Sequence, residues 1–122
     1  KPFLKIKFPW KFILGNNCWI GNSVNIDNMS EVKIGNDVCI SQGTYICNGN
    51  HNYKSTNFEY LDSKIIVGDH SWLAAKSIVA PGTIIGEGVV LTIGSIAIGS
   101  LLPYKIYQGN PAKALRNRLN EN

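Results

Sequence analysis

The sequence contains little charge, little sulfur and little histidine. Charged residues make up 16% of its 122 residues, and it has one methionine, two histidines and three cysteines. Cys18, Cys39 and Cys47 form neither a Cys-x-x-Cys pair nor an even set. A reduced, cytoplasmic protein is therefore the simplest interpretation of the cysteine pattern.

Two classes of partner are disfavoured by the same composition. No apolar run approaches the roughly 20 residues that a membrane-spanning helix needs, so we predict no membrane span. The net charge of +4 is modest, and no dense lysine and arginine face is interleaved with aromatic residues, so we predict no nucleic-acid partner.

The length suits one domain. The chain starts with Lys1 rather than methionine, which leaves open that part of the natural N-terminus is missing.

A six-residue repeat dominates the second half of the chain. Residues 67–102 read VGDHSW LAAKSI VAPGTI IGEGVV LTIGSI AIGSLL, and five of these six blocks open with Val, Ile or Leu. Neither the helical period of 3.6 nor the strand period of 2 repeats in this way. A fixed six-residue period is typical of a parallel β-helix. Positions one and five of a block then point the same way, into the interior.

The repeat extends back to Leu14, with two extra residues that predict a small bulge at 29–33. Three blocks make one triangular coil, so four coils are predicted. Stacking the coils gives three interior columns, each aliphatic throughout. These columns are Leu14, Ile34, Val67 and Ile85; Ile20, Ile40, Leu73 and Leu91; and Ile26, Ile46, Val79 and Ala97.

Three segments lie outside the repeat. Residues 1–13 alternate apolar residues with lysines and predict a lead-in strand. Residues 52–66 are polar, aromatic and aperiodic, and a long loop in a regular scaffold is more often functional than accidental. Asn110 followed by Pro111 resembles the start of a helix, so residues 103–122 are predicted to be an extension with an α-helix over 111–120. We treat 1–122 as a single domain, with the β-helix at 14–102.

The hexads, the loop after His51 and the ending YQGNPAK resemble the hexapeptide-repeat acyltransferases, most closely the colanic acid biosynthesis and sugar O-acetyltransferases. Further shared motifs are Pro9-Trp10, the ISQ block at 40–42, the Cys47-to-His51 segment and WLAA at 72–75. The resemblance implies an all-β, left-handed parallel β-helix. It also implies a homotrimer with sites at subunit contacts, and transfer of acetyl from acetyl-CoA to a hydroxyl of a sugar or polysaccharide precursor.

The resemblance also implies roles for individual residues. His51 occupies the position of the catalytic general base, and an imidazole with a pKa near 6.5 suits removal of a proton from a hydroxyl. Neither a metal nor a covalent acyl-enzyme is required. The asparagine that some relatives use for the acceptor falls at Gly21. The predicted acetyl-CoA contacts are Ala75, Ile93, Gly99, Lys113 and Arg116.

Three alternative functions place different requirements on the sequence. A γ-type carbonic anhydrase shares the fold but needs three histidines around zinc, and the chain has only His51 and His70. A non-catalytic solenoid, such as an ice-binding module, should show an outer column of one residue type, and none is present. A non-sugar acceptor (serine, an antibiotic or an amino sugar) remains open, because nothing in the sequence identifies the acceptor.

Overall fold

Each six-residue block forms one short strand followed by one corner. The computed structural model describes residues 4–119. A 3₁₀ turn, Pro9–Lys11, precedes the second strand. The strands in this range are β1 (Lys5–Ile6), β2 (Phe12–Leu14), β3 (Trp19–Ile20), β4 (Asn25–Asp27), β5 (Val32–Ile34), β6 (Cys39–Ile40), β7 (Tyr45–Cys47), β8 (Ile65–Val67), β9 (Trp72–Leu73), β10 (Ile78–Val79), β11 (Ile84–Ile85), β12 (Val90–Leu91), β13 (Ile96–Ala97), β14 (Ser100–Leu101), β15 (Lys105–Gly109) and β16 (Ala112–Asn117).

Three sheets form the sides of a triangular prism. Sheet A has the order β1-β4-β7-β10-β13, sheet B has β14-β11-β8-β5-β2, and sheet C has β16-β15-β12-β9-β6-β3. Every pairing is parallel except that of β15 with β16. The chain visits sheets B, C and A in turn, so the predicted parallel β-helix is confirmed. Sheets A and B hold five strands each, so there are about five turns rather than the predicted four.

The three predicted interior columns are confirmed in register. Ile34 pairs with Val67, Ile40 with Leu73, and Ile46 with Val79. The columns continue beyond the predicted coils to Leu101, Tyr107 and Ile6. Leu14 alone in its column is 44% exposed, because β2 is the edge strand of sheet B and no coil covers it.

Small polar residues at the fifth position of a block also point inward. Ser71, Ser77, Thr83 and Ser95 are buried. Two of these hydroxyls bond to backbone carbonyls of the next coil: Ser71 Oγ donates to Gly86 O at 3.0 Å, and Thr83 Oγ1 donates to Ala97 O at 3.1 Å. A buried hydroxyl needs such a partner, so these residues bind one coil to the next.

The predicted C-terminal helix is wrong, although its last residue, Asn120, lies outside the described range. Residues 105–117 form the β15–β16 hairpin, which turns at Asn110 and Pro111. Once β15 pairs with β12, its other edge offers unpaired backbone groups, and β16 fills that edge. Arg118 Nη1 then donates to His70 O at 2.6 Å and to Gly88 O at 3.0 Å. These tertiary bonds outweigh the local helical pattern.

The loop is also shifted from its predicted bounds. Ile65 and Ile66, placed in the loop from sequence, belong to β8, and Ile65 is fully buried. The connection between β7 and β8 therefore covers residues 48–64. In residues 4–119 there is no helix with the length and apolarity to cross a membrane.

Candidate active site

His51 lies at the base of a small hairpin formed by the loop between β7 and β8. Its backbone forms an antiparallel bridge with Tyr60. The pairing continues on both sides, since Asn52 N donates to Glu59 O at 2.8 Å and Leu61 N donates to Asn50 O at 2.9 Å. The loop thus has regular hydrogen bonding at its base, which fixes the backbone of His51.

Ser30, in the preceding coil, anchors this hairpin. Its backbone N donates to Asn48 Oδ1 at 2.9 Å, and Asn48 Nδ2 returns a bond to Ser30 O at 2.8 Å. The hydroxyl of Ser30 accepts from Ser63 N at 2.9 Å and contacts the hydroxyl of Tyr60. Both ends of the loop are therefore attached to one residue. The sequence interpretation missed this anchor.

The spacing of two asparagines in the sequence could have indicated this anchor at Ser30. Asn28 and Asn48 occupy equivalent places twenty residues apart, and both are fully buried. Asn28 bonds to both the N and the O of Phe8, as Asn48 does to those of Ser30. A buried asparagine at the same place in two successive coils therefore indicates an anchored crossing of the chain.

The imidazole of His51 is exposed, and one of its nitrogens is held by the loop. Nδ1 lies 2.8 Å from the carbonyl oxygen of Phe58. A carbonyl oxygen can only accept, so Nδ1 carries the hydrogen and donates. In the neutral ring Nε2 then keeps its lone pair. The arrangement presents a proton acceptor at the corner between sheets A and B.

The predicted acetyl-CoA contacts occupy two different corners and the hairpin. Ala75 and Ile93 lie in successive turns of the corner between sheets C and A, where Gly94 N donates to Ala75 O at 3.1 Å. The side chain of Ile93 is 72% exposed. Gly99 lies in the corner between sheets A and B, below His51 in the stack. Its φ of 83° is in the left-handed region that favours glycine, and no atom lies within 4 Å of where a Cβ would be.

Lys113 and Arg116 share a face despite the absence of the helix. Lys113 pairs with Gln108 and Arg116 pairs with Ile106, across a β-bulge between Ile106 and Tyr107. Ile106 and Gln108 are two residues apart and therefore point the same way. Both basic side chains accordingly lie on the outer face of sheet C, opposite the buried Tyr107.

Within a single chain His51 does not face Ala75 or Ile93. The two corners lie at opposite ends of sheet A, and one side of about six residues is about 20 Å long. His70 lies in the third corner, between sheets B and C, with Nδ1 3.9 Å from Asp37 Oδ2. The chain thus brings His51 and Gly99 together on one edge, and Ala75 and Ile93 on another.

A groove of about 660 Å³ surrounds Gly21, the position at which the resemblance places the acceptor asparagine. Its lining includes Trp19, Gly21, Gln42 and Lys76. A Cβ at Gly21 would lie 2.7 Å from the backbone N of Gln42, so this backbone does not accommodate a side chain there. No group of three or more His, Cys, Asp or Glu residues in the described part of the chain is placed to hold a metal ion.

The chain is similar to known acetyltransferases in both sequence and structure. No family model matches the chain. Among solved structures, it resembles the hexapeptide-repeat acetyltransferase of Vibrio cholerae O1 biovar eltor complexed with acetyl coenzyme A, with a TM-score of 0.88 and 20% identity over 96% of this chain and 66% of that one. It also resembles a maltose O-acetyltransferase from Clostridium difficile 630, with a TM-score of 0.87 and 20% identity over 96% of this chain and 64% of that one. Because the sequence identity is only 20%, these two structures show the fold alone.

A curated sequence relative is more similar. The chain is 39% identical over 119 residues to the putative colanic acid biosynthesis acetyltransferase WcaF of Escherichia coli K12, which covers 98% of this chain. The chain spans 65% of that relative's length. The resemblance to the hexapeptide-repeat acyltransferases, and to the colanic acid group within them, is confirmed.

Proposed function

We propose that this chain is the catalytic core of an acetyl-CoA-dependent O-acetyltransferase that modifies a hydroxyl of a sugar or polysaccharide precursor. The observation that carries the proposal is the imidazole of His51, whose Nδ1 is held by Phe58 O at 2.8 Å. This contact leaves Nε2 as a proton acceptor on an exposed corner. The named activities of the relatives agree with this chemistry.

His51 acts as the general base in this proposal. Nε2 takes the proton of the acceptor hydroxyl as its oxygen attacks the acetyl carbonyl, and the thioester supplies a good leaving group. The imidazolium then returns the proton to the departing sulfur, so His51 ends the cycle neutral. The Phe58 carbonyl keeps the ring oriented throughout and accepts from Nδ1–H more strongly while the ring is charged.

The coenzyme is proposed to lie against Ala75, Ile93 and Gly99, with its phosphates near Lys113 and Arg116. Ala75 and Gly99 are on different corners, so one chain supplies only half of such a groove. A neighbouring copy that presents its C–A corner to this chain's A–B corner completes the groove. A closed homotrimer repeats this contact three times. We therefore propose a homotrimer with sites at its interfaces and inactive isolated monomers, and we retain the predicted cytoplasmic location.

A thiol-release assay tests the function. Wild type, His51→Ala and, as a matched control, His70→Ala are compared with acetyl-CoA and a panel of sugars, amino sugars, serine and chloramphenicol. We expect release with sugars, a loss of turnover of roughly 10²–10⁴-fold in His51→Ala, and no comparable loss in His70→Ala. Near-normal turnover of His51→Ala, or release only with amines, contradicts the proposal.

A further inference from the structure

A second groove, of about 420 Å³, lies beside the His51 loop and has no role in the chemistry above. We name it the Trp10 groove, and its lining includes Trp10, Lys11, Glu31, Tyr60, Asp62 and Lys64. It occupies the same corner as His51, one coil nearer the N-terminus. It is separate from the groove around Gly21, which lies on the opposite edge of sheet A.

Two aromatic rings form the apolar part of this groove. Trp10 is 76% exposed and Tyr60 is 43% exposed. Trp10 is held in place: its ring packs edge-on against the ring of Phe8, with centroids 5.3 Å apart, and Lys11 Nζ of the same 3₁₀ turn donates to Met29 O at 2.8 Å. A rigid exposed indole offers a flat apolar surface at little entropic cost on binding.

The positive and negative charges that line the Trp10 groove are equal in number. Lys11 and Lys64 face Glu31 and Asp62, and Lys64 Nζ lies 3.7 Å from Glu31 Oε1. Within residues 4–119, the carboxylate of Asp62 has neither an ion pair nor a hydrogen bond, so it is available to accept from hydroxyls. A phosphate-bearing ligand needs a net positive site. Aromatic faces with balanced polar groups fit a neutral ligand rich in hydroxyls.

The groove adjoins the proposed base directly. Tyr60 is the bridge partner of His51, and directly paired residues have Cβ atoms about 4.5–5.5 Å apart on the same face. Tyr60 also contacts Ser30, which anchors the loop. A ligand stacked on Trp10 and Tyr60 therefore extends toward Nε2 of His51.

We infer that the Trp10 groove binds the sugar unit adjacent to the one that receives the acetyl group. The acceptor is then a neutral oligosaccharide or polymer chain, and a monosaccharide occupies only part of the site. Trp10 stacks on the apolar face of the second sugar, and Asp62 accepts from its hydroxyls. This inference rests on the proposed O-acetyltransferase function.

The test compares matched acceptors and matched variants. Glucose and galactose are measured against maltotriose and lactose with wild type, Trp10→Ala, Trp10→Phe and Asp62→Asn. The control is Tyr53→Ala, because Tyr53 is on the same loop and 78% exposed but does not line the groove. We expect Trp10→Ala to raise KM for the oligosaccharides roughly tenfold, equivalent to about 1.4 kcal/mol. The KM for monosaccharides and for acetyl-CoA, and kcat, should change less than about twofold, and Trp10→Phe should recover part of the loss.

Binding without turnover separates this inference from the function on which it rests. Maltotriose and lactose are titrated into His51→Ala while tryptophan fluorescence is followed, and the change should disappear in His51→Ala carrying Trp10→Phe. Saccharide binding at Trp10 without any acetyl transfer contradicts only the proposed function. The subsite is overturned if acetyl transfer shows equal KM for both acceptor sizes, or if neither saccharide changes the fluorescence. It is also overturned if the Trp10-dependent response is to a phosphate-bearing ligand, dTDP, in place of the saccharides.

Discussion

The Nδ1 atom of His51 donates a hydrogen bond to the carbonyl oxygen of Phe58 over 2.8 Å. The contact joins two residues of one hairpin, so the loop that carries the imidazole also fixes its tautomer. A loop that interrupts a regular scaffold can therefore hold this side chain in one orientation. The loop is attached to the scaffold at Ser30 and hydrogen-bonded within itself.

The tautomer of His51 can be observed directly. We expect two-dimensional ¹H–¹⁵N spectra of the neutral ring to show the Nδ1–H form of His51. The reason is that Phe58 O accepts only from a protonated nitrogen. His70, whose Nδ1 faces the carboxylate of Asp37, provides an internal comparison. A predominantly Nε2–H form of His51 would contradict the proposed role of Phe58.

Removal of the Ser30 hydroxyl should loosen the loop. In Ser30→Ala the backbone N–H of Ser63 loses its acceptor, which costs about 1–3 kcal/mol for a buried donor. We expect that decrease in the free energy of denaturant unfolding, with faster amide exchange at 61–63. Ser100→Ala, on the outer surface, is the control and should stay within about 0.5 kcal/mol. Equal stability of the two variants would show that Ser30 is not an anchor.

Much of the fold was predictable because each block carries its own pattern. Ile40 and Leu73 lie 33 residues apart, yet each opens a hexad, and counting the blocks brings them into register. The hairpin was not predictable in this way. Ala112, Leu115 and Leu119 have helical spacing, and only the open edge of β15, a tertiary feature, selects a strand.

The candidate site was predictable only in part. The position of His51 follows from the resemblance, but its partner is a backbone carbonyl of Phe58, and backbone carbonyls leave no signature in a sequence. Tyr60 adjoins His51 because of how the loop folds back. The groove beside them depends on Trp10, which lies far away in the chain and meets them through the stacking of coils.

The interior column of sheet C should be sensitive to lost volume. Leu73 is fully buried between Ile40 and Leu91, so Leu73→Ala leaves a cavity and should cost about 2–5 kcal/mol. Leu73→Asp should be worse, since it buries an unpaired charge. Leu102→Ala, at a largely exposed leucine, is the control. Similar urea midpoints for Leu73→Ala and Leu102→Ala would contradict the packing of the column.

Alkaline pH should act through Tyr45 on the outer face of sheet A. The hydrogen bond with Cys47, and then burial and the nearby charge of Asp27, raise the pKa of the Tyr45 phenol above its usual value. The unfolded chain ionises near pH 10, before the folded one does. The contribution of Tyr45 is therefore complete below about pH 10 and is lost as the pH rises further. We expect the stability of wild type relative to Tyr45→Phe to fall above that pH. A relative stability that rises instead would contradict the assigned direction.

The two basic residues on the hairpin should affect the coenzyme and not the acceptor. Lys113 and Arg116 both lie on the outer face of sheet C, and a charged hydrogen bond to phosphate contributes about 1.5–3 kcal/mol. Arg116→Ala should therefore raise KM for acetyl-CoA by roughly 10–100-fold, with kcat and the acceptor KM nearly unchanged. The effect should shrink at high salt. Lys33→Ala removes an equal charge from sheet B and serves as the control. Equal effects of Lys33→Ala and Arg116→Ala would indicate general electrostatic attraction, and a loss of kcat alone in Arg116→Ala would remove this residue from the coenzyme site.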